Sequence, residues 1–215
     1  MTPLNALNAD VVGCRRCPRL VEWREQVARE KRRSFETWEY WGKPVPNFGD
    51  PDAEHLIVGL APAAHGANRT GQMFTGDRSG EWLFRALYKA GAANLPNAES
   101  REDGLRLSNV LITAVAHCAP PDNKPLPSEI MNCNEYLQRT LQLREWKSFL
   151  CLGSLAWRIL FRTMSLRIPK FGHEAIVELE NGAKVVGSYH PSQQNTFTGK
   201  LTEPMLDSAI RQFLR

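Results

Sequence analysis

Four apolar runs in this chain are short, carry no polar face and end in turn residues. They are His55–Leu60 (HLIVGL), Ser108–Ala116 (SNVLITAVA), Ser148–Leu152 (SFLCL) and Lys184–Tyr189 (KVVGSY). Runs apolar on both faces read as central strands of a parallel sheet, covered above and below. Between and around them the apolar period changes to that of helices. From Pro18 to about Lys31, Leu20, Trp23 and Val27 form one stripe, with Arg24, Glu25, Arg29 and Glu30 off it. Glu81–Ala90 reads as a buried helix closed by Gly91 as its C′ residue. Ser128 reads as the N-cap of a helix carrying Cys133, Gly153–Phe161 as another, and Thr202 as the cap of a last one. Strands alternating with helices predict an α/β protein: three layers, with a four-stranded, mainly parallel sheet flanked by helices. The ordered part is expected to open at Cys14-Arg-Arg-Cys17-Pro.

The connections are less regular. Residues 34–52 hold aromatics and prolines without period and read as an extended packing loop. His117–Pro125 is a proline-rich turn, which neither helix nor ladder tolerates. The basic run Arg29, Lys31, Arg32, Arg33 reads first as a solvated helix end favoured by the macrodipole, with phosphate contact as the alternative.

Size and composition narrow the class. With 215 residues, 42% hydrophobic and 23% charged, the chain has enough apolar surface for a core and is not disordered. No apolar run approaches the ~20 residues of a membrane span. The start, MTPLNALNADVVG, lacks the features of a secretory signal, so a cytosolic, cytoplasmic location is expected. A net charge of +4 permits a polyanion partner without demanding one. Five cysteines in such a chain argue against a disulfide framework. Cys14 and Cys17 form a C-x-x-C, while Cys118 and Cys133 lie far away in sequence; four metal ligands and scattered buried thiols are both compatible with this spacing. Cys151, inside an apolar strand, reads as a small buried hydrophobe.

The chemistry-bearing residues cluster after strand ends. The stretch HLIVGLAPAAHGANRTGQMFTGDRSG runs from strand through a long small-residue loop to a helix start, and carries Phe74 and Asp77. Asn123 follows the second strand and His190 the fourth. In a parallel sheet such positions converge on one rim, where a pocket for a planar ligand is expected. Each residue has a plain structural alternative: core packing for Phe74, helix capping for Asp77 or Ser79, a turn for Asn123, and a hydrogen-bonded strand end for His190.

GLAPAAHGANRTGQMFTGDRSG, CAPPDNKP and SYHPSQQNTFTGKLT together resemble the uracil-DNA glycosylases of family 5, the type b enzymes, over nearly the whole chain. The sister family 4 typically opens its first motif Gly-Glu-Ala-Pro-Gly; here Gly59-Leu60-Ala61-Pro62-Ala63 puts an apolar residue in place of the polar one. The resemblance implies a single uracil-DNA glycosylase-like domain over residues 1–215 with an N-terminal iron–sulfur-bound segment. It implies a monofunctional DNA-repair hydrolase that flips uracil, and other deaminated bases such as hypoxanthine, out of single- or double-stranded DNA. The enzyme would leave an abasic site and act as a monomer. It further implies a structural four-iron, four-sulfur cluster on Cys14, Cys17, Cys118 and Cys133.

By the same resemblance, Phe74, Asn123 and Ala63 bind the base, with Phe74 stacking and the Asn123 amide meeting O4 and N3–H of uracil. His190 donates toward O2, and Asp77 steadies positive charge on the sugar or orients water. Ser192, Gln193, Asn195, Lys200 and Arg78 hold the DNA backbone, with Arg69 adding charge nearby. Residues 191–199 are expected to push into the duplex, with Gln193 or Gln194 as the wedge. Two other readings compete: a non-catalytic nucleic-acid-binding module with a structural cluster, and a zinc-held phosphohydrolase or nucleotidyl-transfer enzyme. The second is weakened because the glycine-rich loop lacks Gly-Lys-Ser/Thr.

Overall fold

The computed structural model describes residues 2–215. In chain order the helices and strands are α1 (Pro3–Val12), α2 (Pro18–Glu30), β1 (Phe48–Gly49), β2 (His55–Gly59), α3 (Ala67–Thr70), α4 (Arg78–Lys89), β3 (Val110–Ala114) and α5 (Pro127–Leu141). They continue with β4 (Ser148–Leu152), α6 (Ser154–Thr163), β5 (Ile176–Glu178), β6 (Lys184–Ser188), α7 (Gln193–Phe197) and α8 (Glu203–Leu214). The strands form one sheet in the order β1-β3-β2-β4-β6-β5. The inner four are parallel, with His55 of β2 in register with Val110 of β3 and Ser148 of β4, and Ser148 with Lys184 of β6. These are the four strands read from the sequence.

The sheet has six strands rather than four because β1 and β5 pair antiparallel on its two edges. At two and three residues they are too short to show a period. Covering an edge with a short reversed strand also blunts an otherwise open row of backbone donors and acceptors.

Alternation along the inner strands builds a core on each face. Ile57, Ile112, Leu150 and Val186 pack against Leu83, Phe84 and Leu87 of α4 and Leu206, Ile210 and Phe213 of α8. Leu56, Val58, Leu111, Phe149 and Val185 pack against Ile130 and Leu137 of α5 and Trp157, Leu160 and Phe161 of α6. The three-layer α/β architecture follows directly from this two-sided burial.

Several local expectations are corrected. Order begins before Cys14: α1 is capped by the Thr2 hydroxyl and buries Leu4, Leu7 and Val11. The helix carrying Cys133 opens at Pro127, with Leu126 rather than Ser128 at the N-cap, and the Glu129 carboxylate accepts the Leu126 N–H at 2.6 Å. Arg24, placed off the apolar stripe of α2, is buried. Thr202 holds the N-cap position of α8, but its hydroxyl makes no capping bond. The 191–199 loop contains α7, capped by Ser192. Among the described residues no helix is long and apolar enough to cross a membrane.

Candidate active site

The carboxyl ends of β2, β3 and β6 open onto a cleft of about 920 Å³, near the upper end of small-ligand sites. Gly59, Leu60, Ala61, Pro62 and Ala63 form one wall as the chain leaves β2. Past them the backbone turns, with the N–H groups of Gly66 and Asn68 both bonded to the Ala63 carbonyl. The loop then runs through α3 to Phe74 and Asp77.

Phe74 adopts φ +58°, a left-handed conformation that is strained for a bulky residue. Two close approaches hold it there. A Cβ on Gly80 would lie 1.5 Å from the Phe74 carbonyl oxygen, and one on Gly59 would lie 2.9 Å from the Phe74 ring. A side chain at Gly59 would push on the ring itself, and one at Gly80 would displace the Phe74 backbone.

Asp77 is the N-cap of α4, its Oδ1 accepting the Gly80 N–H at 3.0 Å. Its other carboxylate oxygen packs against Gly66, where a Cβ would come within 2.3 Å. Burial raises the Asp77 pKa to about 6, against the lowering effect of the Gly80 and Ser79 amides. The capping alternative is therefore realised, and the same carboxylate lines the cleft.

Arg69 braces this loop from behind. Its Nε donates to the His65 carbonyl at 2.9 Å and Nη2 to the Gly76 carbonyl at 3.0 Å. The guanidinium lies 4.0 Å from the rings of both Phe35 and Trp38. Arg69 is buried and faces inward, which corrects its reading as charge offered to DNA.

Asn123 enters from the turn after β3. Asp122 and Asn123 take φ +53° and +55°, a conformation that Asx residues tolerate, and both line the cleft. His190 follows β6. Its ring stacks on Phe74 with centroids 6.0 Å apart and an interplanar angle of 28°. Desolvation lowers its pKa to about 4, so the imidazole is neutral at physiological pH. Asn195 donates from Nδ2 to the His190 carbonyl at 2.8 Å.

The cleft thus gathers Ala63, Phe74, Asp77, Arg78, Asn123, His190, Ser192 and Gln193. The Arg78 guanidinium sits 4.4 Å over the Phe197 ring and ties α4 to α7. Lys200 and Asn195 are not part of the lining: Lys200 lies over the Tyr189 ring at 4.9 Å, and the Asn195 amide serves His190. Arg32, Phe35, His65 and Asp122 also line the cleft, and the last three were not among the residues expected there. Arg32 belongs to the basic run read first as solvated, and nothing in the local pattern marks His65.

The cysteines that the resemblance groups together act on one another. The Cys118 thiol is pushed up to about 11 and the Cys133 thiol to about 12, mainly by burial, with the other cysteines of the set adding to both. Donors point at three of the sulfurs: Arg24 Nη1 at Cys118 (2.9 Å), the His117 amide at Cys133 (3.3 Å) and Asn132 Nδ2 at Cys17 (3.6 Å). No group of three or more His, Cys, Asp or Glu side chains stands at metal-holding distance among the described residues. Cys151 is fully buried in β4, as read from the sequence.

Residues 46–214 match the sequence profile described as "Uracil DNA glycosylase superfamily". The chain belongs to this superfamily. A type-5 uracil-DNA glycosylase of Mycobacterium leprae is 50% identical over 210 residues, covering 95% of this chain and 92% of that protein. One from Thermus thermophilus is 46% identical over 208 residues, covering 95% and 94%. A type-4 uracil-DNA glycosylase of Archaeoglobus fulgidus is more distant, 30% identical over 154 residues, covering 69% and 70%. The similarity therefore runs with the type-5 group, as the apolar Leu60 suggests.

The electrostatics of this superfamily member make one prediction. The folded-state pKa of Asp77 lies above its ordinary value, so the native state binds its proton more tightly than the unfolded chain does. This contribution is present at low pH and is lost as pH rises through about 6. Asp77→Asn keeps a capping side chain and removes the buried charge. At pH 8 the variant should be more stable than the wild type by on the order of 3 kcal/mol, and the gap should close toward pH 4. Denaturant unfolding at pH 4, 6 and 8 checks this; a variant less stable at pH 8 would contradict it.

Proposed function

We propose that this chain is a DNA-repair uracil-DNA glycosylase that hydrolyses the N-glycosidic bond of an extruded base. The observation that carries the reading is the meeting of Phe74, Asp77, Asn123 and His190 in one cleft at the strand ends, in a chain half identical to a type-5 uracil-DNA glycosylase.

A base inside a duplex is out of reach, and extruding it costs a few kcal/mol. Phe74 offers a face for stacking. The Asn123 amide pairs its N–H with O4 of uracil and its carbonyl with N3–H, which selects the uracil edge. As the bond to the sugar breaks, negative charge grows on the base and positive charge on the deoxyribose. The neutral His190 imidazole donates an N–H toward O2 without having to lose a proton. The Asp77 carboxylate, ionised above pH about 6, faces the cationic sugar. At ~4 Å and an effective dielectric of about 20 it is worth up to ~4 kcal/mol against a full charge, or at most on the order of a thousandfold in rate. Water then adds its hydroxyl to C1′ and its proton balances the uracil anion, giving free uracil and an abasic site.

The apolar start of the first motif, with Leu60, Ala61 and Ala63 in the wall, places no polar side chain there to reject other bases. That opening agrees with the broad base range that the family resemblance implies, which includes hypoxanthine and hydroxymethyluracil. Arg78, Ser192 and Gln193 meet the DNA backbone, and α7 supplies the wedge. The protein works as a cytoplasmic monomer on single- or double-stranded DNA.

A four-iron, four-sulfur cluster on Cys14, Cys17, Cys118 and Cys133 belongs to the same proposal. The polar groups around the sulfurs support it. Arg24 is buried, its charged partners among the described residues include no carboxylate, and its guanidinium points at the Cys118 sulfur. Four thiolates carry more negative charge than the cluster core neutralises, which supplies the anion Arg24 lacks. Held by these four cysteines, the cluster would tie the start of α2 to α5 and to the turn after β3, with no part in the chemistry.

Two experiments test this. A uracil-containing oligonucleotide treated with the protein and then hot alkali should be cleaved, as should strands carrying hypoxanthine or hydroxymethyluracil. Intact uracil DNA would point instead to a binding module. Protein purified without oxygen should be brown, with about four irons per chain, and Cys118→Ser should lose the colour. Stoichiometric zinc, or no metal, would contradict the cluster.

A further inference from the structure

One wall of the cleft does no work in the reaction just described. It is made by Arg32, Phe35 and His65. Tyr40 lies behind it, buried, with its hydroxyl 3.0 Å from His65 Nδ1. The same hydroxyl accepts the Arg32 backbone N–H at 3.4 Å. A phenol has one proton. Among the described residues Nδ1 is the one acceptor bonded to this buried hydroxyl, so we take the hydroxyl to donate its proton there, which leaves the proton of the neutral His65 ring on Nε2. No protein acceptor takes the Nε2–H among the described residues, and His65 lines the cleft.

Arg32 stands beside it as an exposed cation, and no carboxylate pairs with it among the described residues. The turn that follows, Arg33–Phe35, is pinned because the Phe35 ring packs on the buried Arg69 guanidinium. The wall is therefore a fixed platform bearing one free cation and one oriented neutral donor. The other charged groups of the cleft are Asp77, Glu81, Asp122 and Arg78. The three carboxylates repel an anion from their part of the cleft, which leaves Arg32 with His65 as a place for it.

We propose that His65 Nε2–H and the Arg32 guanidinium form a phosphodiester subsite that grips the DNA backbone next to the extruded nucleotide. This rests on the glycosylase reading and adds a contact on the side of the cleft away from the α7 loop in sequence. Tyr40 acts as a positioning residue, through His65. A neutral donor and an exposed cation bind phosphate without base preference.

The test uses a duplex containing 2′-fluoro-2′-deoxyuridine, which resists hydrolysis, with binding followed by fluorescence anisotropy across a salt series. Arg32→Gln, on an exposed side chain, should weaken binding about fivefold and lower the slope of log K against log salt by about 1. His65→Ala should weaken binding about threefold with a smaller slope change, and kcat at saturating uracil DNA should stay within about twofold. Tyr40→Phe should weaken binding in the same direction as His65→Ala, with kcat likewise held. Thermal unfolding of each variant reports whether the fold is intact. Unchanged affinity and slope in Arg32→Gln would overturn the subsite, as would a loss of kcat with unchanged affinity in His65→Ala. Failure of the wild type to release uracil would sink the glycosylase reading and the subsite together; release with unchanged variants sinks the subsite alone.

Discussion

The parallel pairing of β2 with β3 on one side and β4 on the other is the constraint from which the rest follows. Parallel strands all end at the same rim. Gly59, the turn holding Asn123 and the segment holding His190 therefore meet although each lies more than sixty residues from the next in sequence. Two-sided burial keeps that pairing in register, because a one-residue slip would turn Ile57 and its neighbours onto the wrong core. The long loop after β2 is then free to carry chemistry while the sheet holds its ends.

Burial at the rim does more than bring groups together. The same exclusion of water pushes His190 down to about 4, so that it is a neutral donor near neutral pH, and pushes Asp77 up only to about 6, so that it stays an anion there despite its burial. Opposite charges developing on a departing base and its sugar need that combination. Asp77 serves as helix cap and cleft carboxylate at once, and the capping bond fixes the direction of the carboxylate. The tight contacts of Gly80 with the Phe74 carbonyl and of Gly66 with Asp77 explain why this loop is built from small residues.

What could be read from the sequence follows from what leaves a pattern. The inner strands were legible because burial on both faces removes polar residues from them. β1 and β5 were not, since two or three half-covered residues have no period. α1 is short, and its apolar stripe of Leu4, Leu7 and Val11 is interrupted by Ala6, Ala9 and Val12 elsewhere on the helix, so its period is weak in the sequence. Phe74, Asn123 and His190 were legible as strand-end residues. Arg69 was misplaced because a charge within a polar loop looks solvated, and only the two aromatic rings around it show otherwise. Arg32 is marked only as part of a basic run, and His65 leaves no local signal, since their meeting depends on Tyr40, buried between segments.

Solvent exclusion at the rim, rather than any ion pair, keeps the His190 ring neutral in the cleft. This is tested most directly by nitrogen-15 NMR of the five histidines between pH 3.5 and 8, with His190 assigned by its loss in His190→Gln. The account predicts a His190 ring that stays neutral down to pH 5, with its midpoint near 4. A midpoint at the ordinary value near 6.5 would mean that water reaches the ring freely, and would contradict it.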